Sequence, residues 1–243
     1  MKKGRILQEI KNGKIYDSFQ RQTNNLKKLV SLRKKDRDQD RLDSKAENLR
    51  SFIQQLRFVY TFLVPDYDDL ARILKTVDRF AYPDDLENVT RLKDFTQKIG
   101  HLLEVHLNDN FKKRLRHFSY TEIFRLDEAL FTLKNEAYLS SIVMSVSAAE
   151  SRLHRIVQSE LPRQYKKDKM SKATLGGLLH QIDTNKKYRR IRESLSEKFP
   201  SLLTMCNHYR IFSAHPKEEM MSYQDALAIF GLVVSFLLDP KNK

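Results

Sequence analysis

Ser222-Tyr-Gln-Asp-Ala-Leu-Ala-Ile-Phe-Gly-Leu-Val-Val-Ser-Phe-Leu-Leu238 is the most apolar stretch of the chain, and the fold is expected to close on it. Ser222 with Asp225 three residues on is a capping-box start, and Pro240 marks the stop. From Ala226 to Val234 every residue is alanine, aliphatic, aromatic or glycine. The run is too short to cross a bilayer and is interrupted by Ser235, so it predicts a buried core helix over 223–238. A helix that is apolar on every side needs packing partners on several sides. This is the pattern of a helical bundle.

Immediately upstream stands Cys206-Asn-His-Tyr-Arg-Ile-Phe-Ser-Ala-His-Pro216. At about 100° per residue, Arg210 and His215 lie about 140° apart on an ideal helix, not on one face. Pro216 disfavours helical backbone at the residue before it. The helix is therefore expected to end near Ser213 or Ala214, with His215 on the following turn, within reach of Arg210. A cation and an imidazole at a helix C-terminus also complement its dipole and open carbonyls, which is the plain structural reading of such a pair.

Arg210-Ile-Phe-Ser-Ala-His-Pro216, followed by an apolar closing helix, resembles the signature of the HEPN superfamily. Ser222-Tyr-Gln-Asp-Ala-Leu227 looks like the start of that family's last helix. Leu126-Asp-Glu-Ala129, Ile142–Ser147 and Ala148-Ala-Glu-Ser-Arg-Leu153 are similar to its long first helix, and Lys172-Ala-Thr-Leu-Gly-Gly-Leu178 to its second. The resemblance covers residues 120–243. It departs at Ile211, where the family usually carries Asn, Asp or His; Asn207 and His208 upstream, and Glu150 on the first helix, are the auxiliary polar candidates.

What the resemblance implies is a metal-independent ribonuclease working as a homodimer, with two Arg210/His215 pairs in one composite site. It needs no cofactor. Cleavage by the RNA 2′-hydroxyl leaves a 2′,3′-cyclic phosphate and a 5′-hydroxyl. Such enzymes commonly serve as toxins or antiviral defence effectors and can have a protein partner or inhibitor. The small residues Ser145, Ser147, Ala148 and Ala149 on the long helix suggest the dimer face. The alternative is a non-catalytic HEPN-like module that binds RNA or protein; a helical scaffold with an incidental basic surface is a third reading.

Composition supports an all-α chain whose partner is a polyanion. Only six Gly and six Pro occur among 243 residues, and the net charge is +14, with an isoelectric point near 9.7. A balance this basic favours nucleic acid. Between Pro162 and Pro200 eleven Lys/Arg face four Asp/Glu, a local excess of +7. Lys166, Lys167, Lys186, Lys187, Arg189 and Arg190 are its RNA-binding candidates, and Tyr165 and Tyr188 among them are placed to stack on bases. The structural alternative is a solvated face.

The single cysteine, Cys206, excludes intrachain disulfides and lies among apolar neighbours as a buried thiol. Gln8, Glu9, Lys11 and Lys14 interrupt what a secretory signal would need, so a cytoplasmic protein without a membrane span is expected. No metal site is expected: His101, Glu104 and His106 lack the i, i+4 histidine spacing of a helical zinc site. Gly176-Gly177 opens an apolar helical turn rather than a phosphate loop.

Two regions are expected: an N-terminal set of long helices over 1–118, and the HEPN-like bundle over 119–243, with a hinge over 108–119. In the first, helices are read over 15–32, from Ser44 (capping box with Glu47) to before Pro65, from Asp66 through Phe80, and from Pro83 to about Asn108. In the second, Ser119 with Glu122 opens a long segment, bent near Asn135, that Pro162 ends.

Overall fold

The structure is a computed structural model that describes residues 6–32, 38–63, 97, 100, 115–195, 203–209, 211 and 221–239. These residues are helices and their connections, with no strand among them. The chain divides into two compact units, one over Ile6–Arg116 and one over His117–Lys243 together with Met1–Arg5. The expected helices between Asp66 and Asn108 and the hinge up to residue 114 lie outside the described residues, Gln97 and Gly100 excepted. So do His101, Glu104 and His106.

In the first unit, α1 (Ile6–Lys11), α2 (Ile15–Val30) and α3 (Gln39–Leu63) pack together. Gly13 ends α1 at φ 69°. Its N–H reaches the Ile10 carbonyl at 3.0 Å and the Lys14 N–H the Glu9 carbonyl at 2.8 Å, the paired closure that favours glycine in left-handed backbone. Ile15, Phe19, Thr23, Leu26 and Val30 form the buried stripe of α2; Leu42, Ala46, Leu49, Ile53 and Leu56 form that of α3. Steps of three and four keep each stripe on one face. Phe19 and Phe52 stack across the pair with ring centroids 6.3 Å apart. The expected start at Ser44 is corrected: α3 begins at Gln39, because Asp38 Oδ1 accepts the Arg41 N–H at 3.0 Å and caps the helix first. Gln39 then reaches Asp43 at 3.0 Å, and Ser44 falls inside the helix.

The second unit is built on an antiparallel hairpin of α4 (Tyr120–Lys134) and α5 (Tyr138–Glu160). The chain does more than bend near Asn135. Glu136 takes a left-handed φ of 59° and the helix reverses within residues 135–137. Ser119 and Glu122 form the expected capping box at the start of α4. Pro162 both ends α5 and occupies the first turn of α6 (Pro162–Lys167), where its missing N–H costs nothing. A 3-10 turn (Met170–Lys172), α7 (Leu175–Thr184), a second 3-10 turn (Lys186–Tyr188) and α8 (Arg189–Ser194) follow. Residues 203–209 are helical, and α9 (Tyr223–Leu238) closes the unit against α5 and α4.

α9 has the predicted span and the predicted Ser222/Asp225 capping box. It buries Ala226, Ile229, Phe230, Val233, Val234, Phe236 and Leu237, which is more than one face. Each large apolar side chain among them contributes about 1.5–3 kcal/mol relative to exposure. No helix among the described residues is long and apolar enough to cross a membrane.

The interior of this unit also holds charge. Glu122 and Arg152 are both fully buried and pair face to face: Arg152 Nε donates to Oε1 and Nη2 to Oε2, each at 2.9 Å. Arg152 also donates to the carbonyls of Leu237 on α9 (3.1 Å) and His117 (3.3 Å), and lies 5.1 Å from the Phe118 ring centroid. Arg155 approaches Glu122 Oε1 at 3.2 Å and donates to the His117 carbonyl at 2.7 Å. One arginine thus ties α4, α5 and the end of α9 together.

Candidate functional site

The helical residues 203–209 lead directly into Arg210, and their side chains seat that segment on the unit. Leu203 and Cys206 are buried. Burial pushes the Cys206 thiol up to about 12, so it is an inert packing group at neutral pH, as the sequence implied. Asn207 lies against the first turn of α7: a Cβ on Gly176 would come 2.8 Å from Asn207 Nδ2. Glycine there admits the carboxamide.

The same turn receives Glu150 from α5, whose Oε2 accepts the Leu175 N–H at 2.8 Å, while Thr174 Oγ1 accepts that of Gly177 at 3.4 Å. A carboxylate on open amides at a helix N-terminus is favoured by both hydrogen bonding and the dipole. Glu150 and Asn207, expected as auxiliary residues, therefore meet at one helix start, and Glu150 serves there as a helix cap.

Tyr209 makes the opposite attachment. Its side chain lies near the Asp225 carboxylate, which accepts from Ser222 Oγ (2.6 Å) and Ser222 N–H (2.9 Å). These donors, Ser222 foremost, hold the Asp225 carboxyl below its ordinary range. His208 is exposed, and Ile211 is 49% exposed. Arg210 and His215 lie outside the described residues. Tyr209 was not among the sequence candidates; its place beside Arg210 is the only signal it carries.

The basic segment forms a lobe on α5. Lys166 and Lys167 on α6, Lys186 and Lys187 on the second 3-10 turn, and Arg189 and Arg190 on α8 are all exposed. Tyr188 joins the two stretches. Its ring is wholly buried and its hydroxyl donates to Asp168 Oδ2 at 3.1 Å. Burial, with Asp168 nearby, pushes the Tyr188 hydroxyl up to about 12. Asp168 also accepts from Gln164 and feels both Lys187 and Lys167, which together hold its carboxyl below the usual value. Arg189 pairs with Glu193 at 2.6 Å, and Arg192 donates to the Asp183 carbonyl.

The expectation that Tyr188 stacks on bases is corrected. Tyr188 points inward, because its ring fills the core while its hydroxyl finds Asp168. Tyr165 is half-buried, with its hydroxyl 3.0 Å from His154 Nδ1. His154 Nε2 lies 2.9 Å from the Ala173 carbonyl, which can only accept; the proton is on Nε2 and Nδ1 accepts from Tyr165.

The small residues expected at a dimer face are corrected as well. Ser145, Ala148 and Ala149 are fully buried inside the unit, and Ser145 Oγ donates to the Ser141 carbonyl at 2.8 Å. Ser147 accepts from Arg125 through its carbonyl. They let α5 pack closely on its own chain. Sequence reading missed Arg152, although it stands three residues after Ala149 and four before Ile156, in the same stripe as the buried apolar side chains.

Among the described residues no cluster of His, Cys, Asp or Glu is arranged to hold a metal ion. The chain matches no protein-family model, no curated protein and no solved structure.

Proposed function

We propose that the chain is an endoribonuclease of HEPN type that cleaves RNA through Arg210 and His215, paired across a homodimer. The observation that carries this reading is the seating of residues 203–209. Buried Leu203 and Cys206, with Asn207 against Gly176, seat the segment just before Arg210, and Tyr209 lies near Asp225. A catalytic arginine needs such a rigid base, because misplacement by about 1 Å can cost about a hundredfold in rate. The exposed cations of α6 to α8 in the same unit suit a polyanionic substrate.

In this reading His215, with an ordinary pKa near 6.5, takes the proton of an RNA 2′-hydroxyl as its oxygen attacks the adjacent phosphorus. The bond from phosphorus to the 5′-oxygen breaks, and that oxygen receives a proton from the second histidine of the composite site. Arg210 holds the phosphate oxygens with paired donors as charge builds. The products carry a 2′,3′-cyclic phosphate and a 5′-hydroxyl. The biological role that goes with such cleavage is a toxin or defence effector that arrests growth.

A second reading, a non-catalytic module for RNA or protein, is favoured by Ile211. An isoleucine 49% exposed beside Arg210 supplies no polar group to a phosphate and suits a partner surface instead. Cleavage of RNA in EDTA by the wild-type protein separates the two. His215→Ala and Arg210→Ala are each expected to lower the rate about a hundredfold or more, leaving helicity and mass in light scattering unchanged. A 2′-deoxy substitution at the cut site should block the reaction. Wild-type protein that binds RNA without cutting it would leave the second reading; activity that survives both alanine changes would move the chemistry elsewhere.

A further inference from the structure

We infer that the lobe of α6, the two 3-10 turns and α8 is a binding surface for the phosphate backbone of duplex RNA, engaged by charge and shape without base stacking. The inference rests on the reading of RNA as the ligand, and not on catalysis. Its first support is the way the cations are gathered. The bond from the Tyr188 hydroxyl to Asp168 at 3.1 Å pins together two stretches of sequence twenty residues apart. Lys167 and Lys187 both lie close enough to Asp168 to depress its carboxyl. The fold thereby gathers Lys167 and Lys187 about one carboxylate, and their neighbours in sequence Lys166 and Lys186 are exposed as well. Asp168, the carboxylate between them, is engaged by Tyr188 and Gln164.

The second support is the state of the aromatic rings. Proteins that hold single strands combine a basic track with open rings on which bases stack. Sequence-specific RNA recognition likewise splays unstacked bases against such rings. Here Tyr188 has no exposed surface, and Tyr165 is half-buried and tied to His154. Exposed ammonium and guanidinium groups, which read phosphates as charge, outnumber the exposed carboxylates Asp168, Asp183 and Glu193 on the lobe. Duplex RNA presents phosphates in a fixed, regular spacing and keeps its base faces stacked inside, so it is the form such a surface selects.

The test uses full-length His215→Ala protein, so that RNA is not consumed, with a short RNA duplex and a single strand carrying the same number of phosphates. Binding is followed by fluorescence anisotropy across a salt series. The duplex is expected to bind about tenfold tighter, and replacing bases of the single strand by abasic sites should leave its affinity unchanged. Lys166→Glu with Lys167→Glu, and Lys186→Glu with Lys187→Glu, should each flatten the slope of log affinity against log salt by about two, and all four by about four. The melting midpoint should stay constant; if a reversal lowers it, the corresponding Lys→Gln pairs carry the measurement. A single strand that binds more tightly than the duplex, or loses tenfold on removal of its bases, overturns the inference in favour of a stacking site. Slopes unchanged by the substitutions overturn it in favour of a solvated face. Absence of RNA cleavage by wild-type protein, with these binding results intact, removes the catalytic reading alone.

Discussion

Arg152 on α5 and Arg190 on α8 belong to one unit and stand under opposite conditions. Arg152 is wholly enclosed, with two bonds to Glu122, two to backbone carbonyls and an aromatic ring against its face. Arg190 is exposed in a lobe where cations outnumber carboxylates. In the interior an ion must be matched, because an uncompensated buried charge costs several kcal/mol. At the surface, water and salt screen each cation, so a local excess is tolerated and is open to an external polyanion. Matched charge in this unit organises the fold, and unmatched charge stays at the surface, where the proposal above assigns it to RNA.

Breaking the matched region gives the largest effect. Arg152→Ala is expected to destabilise the protein by about 3–5 kcal/mol, read from urea unfolding. Replacing Arg152 and Glu122 together by Met and Leu should recover most of that loss, since no charge is then left alone. A single-variant cost near that of a surface substitution would show that the cluster does not organise the unit.

Acid attacks the same cluster. Burial raises the Glu122 carboxyl, but the guanidinium of Arg152, the Ser119 N–H and Arg155 more than offset it, and the carboxyl is held below its ordinary value of 4.5. Its contribution to stability is therefore fully present above the unfolded pKa and is lost as pH falls through the lower folded value. Unfolding midpoints should fall below about pH 4.5, and Glu122→Gln, less stable at neutral pH, should show a flatter acid limb. Parallel limbs for the two proteins would assign acid unfolding to other groups.

A smaller effect sharpens the comparison at the start of α7, where two adjacent glycines differ only in their surroundings. Gly176→Ala forces the end of the Asn207 side chain aside and should be less favourable than Gly177→Ala by about 1 kcal/mol. At Gly177 the nearest atoms, Ala173 Cβ and Thr174 Oγ1, lie 3.6 and 3.8 Å away, so Gly177→Ala is expected to be neutral or stabilising by roughly 0.5 kcal/mol. Equal effects at both positions would remove the docking of residues 203–209 on α7. In the reading of those residues as the base of the catalytic pair, Gly176→Ala should also slow RNA cleavage more than Gly177→Ala does.

The smallest expected change in stability is in the lobe. Lys186→Ala, Lys187→Ala and Arg190→Ala should each leave unfolding free energy within about 0.5 kcal/mol of wild type, the range for surface sites. On the proposed RNA surface their effect is expected in RNA affinity, weakened similarly for unrelated sequences. A loss of stability would show that these cations carry part of the fold.

The amino-acid sequence by itself determined the features that depend on residues within four positions of each other. The capping boxes Ser119/Glu122 and Ser222/Asp225 and the span of α9 were legible for that reason: hydrogen bonds to a helix's first amides and an unbroken apolar run are local facts. The all-helical class and the charge excess of the basic segment were legible too. Where a polar side chain points was decided only by tertiary structure. Glu122 reads as a cap, yet its carboxylate also meets Arg152, thirty residues away. Glu150, an auxiliary polar candidate in the sequence, holds the first amide of α7, twenty-five residues on. Tyr188 sits in a run of cations and turns inward, while Ser145, Ala148 and Ala149 face their own chain. Burial of a charged or hydroxyl group is stable only where a distant partner satisfies it, and local sequence does not specify which distant groups the fold will bring within 3 Å.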